Sequence, residues 1–235
     1  MGLKRSVTES EKLEKKCKIV AAARAAFEYL SFHDISMSFL AERTGLAKGT
    51  IYLYFETKES VFLSVLAHEI RNWFLSMHQS PDIDFLFQSG PNSPMIPEKI
   101  AAIFAGSTKN NPKMVELLAF LKPVLEEKIS PPEWAHFKDQ VKAQMMEFSK
   151  ILVSKGWFSH EKFAMRFVFQ AYTGLIGMYQ MSSISKYEGD SSKSAAQRNE
   201  FYLMLHTLLQ TLYLGLQAGR TSNVSPQTST LQMEL

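Results

Sequence analysis

The chain has 235 residues, of which 46% are hydrophobic and 21% charged, with a formal net charge of +3 at pH 7. This is a core-forming composition with room for one or two domains, and its bulk charge alone does not indicate a nucleic-acid binder. The single cysteine, Cys17, excludes an internal disulfide framework and a multi-cysteine zinc site.

The sequence shows neither a signal peptide nor a clean membrane span. The most apolar window, 163–181, contains Arg166 and Gln170. We therefore expect a cytoplasmic protein with no membrane partner.

The N-terminal region is locally basic, because residues 1–24 hold seven Lys or Arg against three Glu. Residues 1–11 are expected to form a flexible basic segment, which either lies along phosphates or is simply a frayed, soluble end. An amphipathic helix follows, and Cys17 is expected to be a small buried hydrophobe within its stripe. The residues of that stripe are Leu13, Cys17, Val20, Ala23, Phe27 and Leu30.

Residues 36–55 predict a helix, a tight turn and a second short helix. Ser36 suits the N-cap of a helix over 37–44, and Gly45 suits the position just past its end, where φ is often positive. Ile51 and Phe55 lie four residues apart and should share one buried face. The opposite face would expose Lys48, Gly49, Thr50, Tyr52, Leu53 and Tyr54, which is unusual for a merely solvated surface.

Over about residues 12–72 this pattern resembles the TetR family of bacterial transcription regulators. The resemblance rests on the runs IVAAARAAF (19–27), LAERTGL (40–46), KGTIYLYF (48–55) and TKESVF (57–62). Two positions depart from the family pattern. Ala47 replaces the usual Ser or Thr, which removes a side-chain cap worth about 1 kcal/mol, and Phe39 replaces a common acidic residue. The resemblance implies an N-terminal helix-turn-helix domain, a helical effector domain, and dimerisation through the last two helices.

The helix-turn-helix predicts a set of contacts to double-stranded DNA. Lys48 can reach a guanine edge or a phosphate, Gly49 permits close backbone approach, and Thr50 and Leu53 offer apolar groups to thymine methyls. Phosphate contacts are assigned to Ser36, Tyr52, Tyr54 and Lys58, with Lys58 helped by the start of its helix. The complete predicted DNA-binding set is Ser36, Ser38, Lys48, Gly49, Thr50, Tyr52, Leu53, Tyr54 and Lys58.

The rest of the chain is also predicted to be helical, so the fold class is all-α. A three-helix DNA-binding domain is expected over 12–72, a helical effector-binding and dimerisation bundle over 73–218, and a disordered tail over 219–235. A long helix begins near Lys58, and a Pro- and Gly-rich loop over 79–98 follows it. Further helices are predicted near 98–108, 112–129, 132–155, 160–184 and 195–218.

The last two predicted helices are apolar on more than one face, which favours burial against a second subunit. Predicted interface positions are Leu175, Phe201, Leu205, Leu208 and Leu212. The second half of the chain is also rich in aromatic residues and Met, which either simply fill a core or line a pocket for a small apolar or aromatic effector. Predicted pocket positions are Phe104, Met114, Phe120, Trp134, Phe137, Met145, Phe148, Phe169 and Tyr172.

The sequence offers no constellation for catalysis. Its six histidines are scattered, without ligand spacing or a nearby carboxylate set, so we expect no metal, no cofactor and no enzyme activity. The favoured hypothesis is a homodimeric repressor released from a near-palindromic operator by its effector. The alternatives are a DNA-binding protein without a ligand switch, and an all-helical enzyme or carrier whose first helices form a lid.

Overall fold

The computed structural model describes residues 8–81, 83, 93–120, 126–182 and 191–218. The regular elements in these ranges are helices, with no β-strand among them, so the all-α prediction is confirmed. The helices are α1 (Glu9–Phe27), α2 (Met37–Thr44), α3 (Lys48–Tyr52), α4 (Lys58–His78), α5 (Ile96–Lys109), α6 (Pro112–Phe120), α7 (Pro131–Ser154), α8 (Glu161–Met181) and α9 (Ser191–Ala218). A single 3₁₀ turn spans Glu126–Lys128.

Most predicted helix positions agree with these bounds to within a few residues. The predicted helix 112–129 is wrong in its last part, because α6 ends at Phe120 and residues 126–128 form only the 3₁₀ turn. Pro131 is the first residue of α7. The N–H groups of a helix's first turn have no carbonyl acceptor within the helix, so a proline, which has no N–H, is tolerated there. The predicted basic segment 1–11 lies mostly, and the tail 219–235 entirely, outside the described residues, as does much of the loop 79–98.

The chain divides into two compact units, and each of them is built from two separate stretches of the sequence. The first comprises Met1–His68 together with Phe120–Phe137, and the second comprises Glu69–Ala119 together with Lys138–Leu235. No helix in the described part of the chain has the length and apolar character needed to cross a bilayer.

The first unit is built around α1, α2, α3 and the start of α4. Ile19, Ala23 and Phe27 of α1 are buried, and the Phe27 ring meets Phe62 edge-on at a centroid distance of 5.5 Å. Only the second half of α1 is therefore packed against the rest of the first unit.

The predicted apolar stripe of α1 is wrong in its first half. Leu13 is 64% exposed and Cys17 is exposed as well, so Cys17 is not a buried hydrophobe. The physical reason is that burial along α1 begins only at Ile19, which leaves the first turns in solvent. A capping box between Thr8 and Glu11 closes the N-terminus of this exposed part.

The second unit packs α9 against α5 and α8. Its interior holds a continuous aromatic cluster in which neighbouring rings meet edge-on or tilted, with centroids 5.0–6.2 Å apart. The members of this cluster are Trp73, Phe74, Phe104, Phe148, Phe158, Phe167 and Tyr213.

Two hydrogen bonds and one glycine fix helices within this unit. The Trp73 indole N–H donates to Ser107 Oγ at 2.7 Å, and the Tyr213 hydroxyl donates to the Trp157 carbonyl oxygen at 3.0 Å. A Cβ at Gly174 of α8 would lie 2.7 Å from Leu208 Cδ2, so glycine leaves room for the Leu208 side chain of α9 at this position.

Candidate nucleic-acid interface

The helix α2 is closed at both ends by local chemistry. The Ser36 hydroxyl oxygen accepts a hydrogen bond from the Phe39 N–H at 3.1 Å, which satisfies an orphan donor of the first turn. At the other end Gly45 has φ 66° and ψ 17°, and Leu46 N–H donates to the Ala41 carbonyl oxygen at 3.2 Å. This Schellman arrangement ends the helix and turns the chain toward α3, which confirms the stop predicted at Gly45.

The helix α3 is short and lacks a side-chain cap. Its N-cap, Ala47, has the extended backbone of a capping residue but accepts no hydrogen bond through its side chain, as predicted. Ile51 is fully buried and Phe55 nearly so, and together they anchor α3 to the unit from one face. The remaining surface of α3 is therefore fixed in orientation although the helix contributes little stability of its own.

The free face of α3 presents apolar and aromatic groups to solvent. Leu53 is 82% exposed and Tyr52 is also exposed, while Thr50 and Tyr54 are half-buried. Lys48 and Gly49 are exposed at the helix start. A leucine exposed to this degree has no role in the subunit's own packing, so its side chain is available for contact with another molecule.

Gly49 has no internal reason to be glycine. Its φ does not lie in the left-handed region, and a Cβ built there would meet no atom within 4 Å. Because glycine weakens a helix relative to alanine, the absence of a side chain at this position has a cost that the subunit itself does not explain. Close approach of the backbone to another molecule, as the sequence predicts for Gly49, would supply a reason.

The two predicted serines lie at the exposed start of α2. The Ser36 hydroxyl oxygen is used in capping, but its O–H remains a donor that a phosphate could accept. Ser38 is exposed in the same first turn. Both positions are compatible with contacts to a phosphate backbone beside α3.

Lys58 differs from the sequence-based expectation. Its ammonium donates to the Phe32 carbonyl oxygen at 2.8 Å and lies 4.1 Å from the centre of the Phe32 ring, instead of extending into solvent. Partial burial lowers the pKa of the Lys58 ammonium, an effect that exceeds the opposing influence of Glu59. The geometry indicates a brace inside the unit, which does not favour the predicted contact of Lys58 with a phosphate.

One basic residue beside α3 was not predicted individually. The Lys16 ammonium lies 5.3 Å from the centre of the Phe55 ring, just past the end of α3, and Lys16 is exposed. The only signal in the sequence was the general excess of Lys and Arg over residues 1–24. Lys16 is therefore added to the candidate phosphate contacts.

The predicted effector-pocket residues are distributed over both units. Phe120, Trp134 and Phe137 belong to the first unit, where the last two rings stack at 5.5 Å. The others belong to the second unit, where the rings of Phe104 and Phe148 contact each other at 5.5 Å in the core. The second-unit members are Phe104, Met114, Met145, Phe148, Phe169 and Tyr172, and all except the half-buried Phe169 are buried.

Three of the five predicted dimer positions are in the subunit's own core. Leu175, Phe201 and Leu205 are buried within one chain, so each has a place in the subunit's own core, and their part in a dimer interface stays a prediction. Leu208 and Leu212 are half-buried, and Leu208 packs against Gly174 of the same chain. The exposed apolar residues of the same two helices are instead Met181, Leu203, Met204 and Leu214.

Sequence comparison places the chain in a known class. Residues 19–65 match the profile described as bacterial regulatory proteins, tetR family, and residues 67–220 match the profile described as tetracyclin repressor-like, C-terminal domain. Among curated protein sequences, none matches the chain.

Solved structures share the fold at low sequence identity. A TetR-family regulator from Pectobacterium atrosepticum aligns with a TM-score of 0.56 and 17% identity, over 87% of this chain and 97% of its own. The repressor FadR from Thermus thermophilus, solved with lauroyl-CoA, aligns with a TM-score of 0.53 and 16% identity, over 91% and 99%. The repressor AlkX from a Dietzia strain, implicated in n-alkane biodegradation, aligns with a TM-score of 0.53 and 13% identity, over 86% and 95%.

The fold and the exposed α3 surface thus define a helix-turn-helix DNA-binding transcriptional regulator. The chain belongs to the TetR family.

Proposed function

We propose that this regulator is a homodimeric repressor that binds a near-palindromic operator and is released from it by a small, largely apolar effector. The observation that carries the DNA-binding part is the surface of α3. Leu53 is 82% exposed, and the packing of the subunit gives no reason for glycine at Gly49, on a helix anchored through the buried Ile51. Both features suit a helix that enters a major groove.

The proposed docking assigns a role to each exposed group. Lys48 meets a guanine edge or a phosphate at the head of α3, and Gly49 allows the backbone to approach the groove wall. Thr50 and Leu53 touch thymine methyl groups, and thereby set which bases are preferred. Phosphates are contacted by Ser36, Ser38, Tyr52, Tyr54 and Lys16 around the rim of this surface.

The proposed dimer forms through α8 and α9. Leu203, Met204 and Leu214 are exposed on α9 and Met181 on α8, an apolar surface of the kind that a partner subunit covers. A groove of about 420 Å³ lies on the same two helices, lined by Met178, Met181, Phe201 and Met204 together with polar neighbours. Two α3 helices would then read half-sites roughly one helical turn, about 35 Å, apart.

The proposed effector is apolar because the second unit offers an interior of aromatic rings and methionines. Phe104, Met145, Phe148 and Tyr172 remain the candidate contacts. FadR, solved with lauroyl-CoA, and AlkX, implicated in n-alkane biodegradation, share this fold and suggest acyl and alkyl chains as first compounds to test. The ring of Phe104 packs directly on those of Phe148 and Phe167, which favours the alternative of a regulator without a ligand switch.

The test of DNA binding is selection from random-sequence duplexes by the full-length protein. We expect a near-palindromic consensus and an affinity that falls steeply with salt. Replacing the consensus thymine that Leu53 contacts by uracil removes its methyl group and should lower the affinity of the parent protein for the operator. The same replacement should leave the affinity of a Leu53→Ala variant unchanged. A protein that enriches no consensus would contradict the proposal.

The test of the switch is a thermal-shift screen with fatty acids, alkanes, bile salts, aromatic dyes and quaternary ammonium compounds. A true effector raises the melting temperature in a concentration-dependent manner and lowers affinity for the selected operator. By linkage, operator should lower effector affinity by the same factor. Hits that stabilise the protein but leave operator affinity unchanged would favour the regulator without a switch.

A further inference from the structure

The turn that precedes α7 contacts the start of α4. The Lys128 ammonium donates to Glu59 Oε1 at 3.1 Å, and the Thr57 hydroxyl donates to the Lys128 carbonyl oxygen at 3.3 Å. Thr57 Oγ1 also accepts from the Ser60 N–H at 3.0 Å, as the cap of the first turn of α4. Residues about seventy positions apart in sequence thus meet at one helix end.

A second set of contacts lies beside the first. Glu133 Oε2 accepts from the Ser60 hydroxyl at 3.3 Å, and from the N–H and hydroxyl of Ser130 at 3.3 and 2.8 Å. One carboxylate oxygen therefore joins the first turn of α4 to the turn that opens α7. The Ser60 and Thr57 hydroxyls are themselves 3.0 Å apart.

The polar side chains in the first turn of α4 are buried and therefore need hydrogen-bond partners from the protein. Glu59 is only 6% exposed and Ser60 is buried as well. A buried carboxylate without a partner is costly, and Lys128 supplies that partner from the more exposed side. The first turn of α4 is therefore satisfied by groups from the segment Phe120–Phe137 and not only by its own cap.

The same segment also contacts the other side of the helix-turn-helix. The Phe120 ring lies 6.2 Å from the ring of Phe32, which precedes α2. Phe32 in turn packs on Phe62 of α4 at 4.9 Å and accepts the hydrogen bond from Lys58. The segment thus holds the chain before α2 and the chain after α3.

We propose that Lys128 and Glu133 are positioning residues for the DNA-binding surface, which set the orientation of α3 by holding the first turn of α4. Only four residues lie between Tyr52, the last residue of α3, and Thr57. A small displacement of that turn therefore changes how Lys48 and Leu53 meet the groove. This inference rests on the proposed DNA binding and concerns residues outside the contact surface.

The first experiment measures affinity for the selected operator against salt concentration for Lys128→Met. We expect roughly tenfold weaker binding at each salt concentration with an unchanged salt slope, because Lys128 does not meet phosphate. Lys128→Arg should bind as the parent does. Lys150→Met is the matched control, since Lys150 belongs to the second unit and pairs with Glu147 at 3.2 Å within α7. Its affinity should equal the parent's.

Three results would overturn the inference. If Lys128→Met reduced the salt slope by about one, Lys128 would be a direct phosphate contact. If Lys128→Met bound operator with parental affinity, Lys128 would have no role in DNA binding. If Lys150→Met lost as much affinity, the effect would be nonspecific. Amide hydrogen exchange of the free proteins gives a reading without DNA. Exchange should accelerate over 48–61 in Lys128→Met only, and unchanged exchange would contradict the positioning role.

The second experiment is a double-mutant cycle between Ser60→Ala and Glu133→Ala. If Glu133 acts through Ser60, the double variant should bind operator no more weakly than Glu133→Ala alone. Additive losses would overturn that route. A parent protein that selects no DNA would contradict the proposed function itself, while amide exchange in the same variants would still decide whether this segment holds α3.

Discussion

Lys58 and Phe32 form a compact brace across the helix-turn-helix: the ammonium lies 2.8 Å from the Phe32 carbonyl oxygen and 4.1 Å from the centre of its ring. A single lysine thereby satisfies a main-chain acceptor before α2 and covers an aromatic face. The same ring packs edge-on against Phe62 at 4.9 Å. The brace ties the chain that enters α2 to the helix that follows α3.

Two lysines of this region should therefore respond differently to the same substitution. Lys58→Met should lower the free energy of unfolding by about 1 kcal/mol and leave the salt slope of DNA binding unchanged. Lys48→Met should leave stability unchanged and reduce the slope by about one, because its exposed ammonium is free to meet phosphate or base. Urea denaturation and salt titration of operator binding measure both, and the opposite pattern would restore Lys58 as a phosphate contact.

Gly49→Ala should change stability and DNA affinity in opposite directions. A methyl group at this position meets no atom of the subunit, so the free energy of unfolding should rise by up to about 1 kcal/mol. Operator affinity should fall at least roughly tenfold if the backbone approaches the groove wall closely. Chemical denaturation and operator titration give the two values.

Gly106→Ala is the control for this substitution. Gly106 lies in α5, and a Cβ there also meets nothing within 4 Å. It should gain stability in the same way with no loss of operator affinity. Undiminished binding by Gly49→Ala would show that the groove does not require glycine at this position.

The helix-turn-helix could be predicted from sequence because its determinants are local. Ser36 caps the turn that follows it, Gly45 supplies the left-handed backbone, and Ile51 with Phe55 defines one buried face. Each of these features depends on residues within a few positions along the chain. The missing cap at Ala47 was predictable for the same reason.

Features that depend on distant residues were not predictable. A helical stripe containing Leu13 and Cys17 indicates which face is apolar, but not how far along α1 the neighbouring helices extend. The inward turn of Lys58 depends on Phe32, which lies 26 positions earlier, and the burial of Glu59 depends on Lys128.

The dimer positions illustrate a second limit. Periodicity shows that Leu175 and Leu205 must be covered, but not whether the cover comes from the same subunit or from another one. In the structure both are buried within one chain, while Leu203 and Leu214 of the same helix pair stay exposed. Only three-dimensional packing separates the two sets.

Tyr172 should give the protein a measurable alkaline sensitivity. Burial raises the pKa of its phenol above the ordinary value of about 10. Below that value the phenol is protonated in both states, and above it the unfolded chain ionises first, so stability is lost as pH rises through the folded pKa. Above about pH 10, the free energy of unfolding should fall more steeply for the parent than for Tyr172→Phe.

The control for this titration is Tyr52→Phe, which alters an exposed tyrosine. It separates the loss of a buried phenol from the loss of any phenol. Equal slopes for the parent and Tyr172→Phe would mean that the buried phenol does not govern alkaline unfolding.

Leu203→Glu should convert the protein to folded monomers that lose operator binding. The side chain is 68% exposed on α9, so a charge there costs the subunit little but would be buried and unpaired in a dimer. Met146→Glu, at an exposed methionine of α7, should remain dimeric, whereas Leu205→Glu should unfold the subunit because that leucine is already buried. Sedimentation velocity at micromolar concentration with circular dichroism separates the three outcomes. A dimeric Leu203→Glu protein with parental operator affinity would place the interface elsewhere.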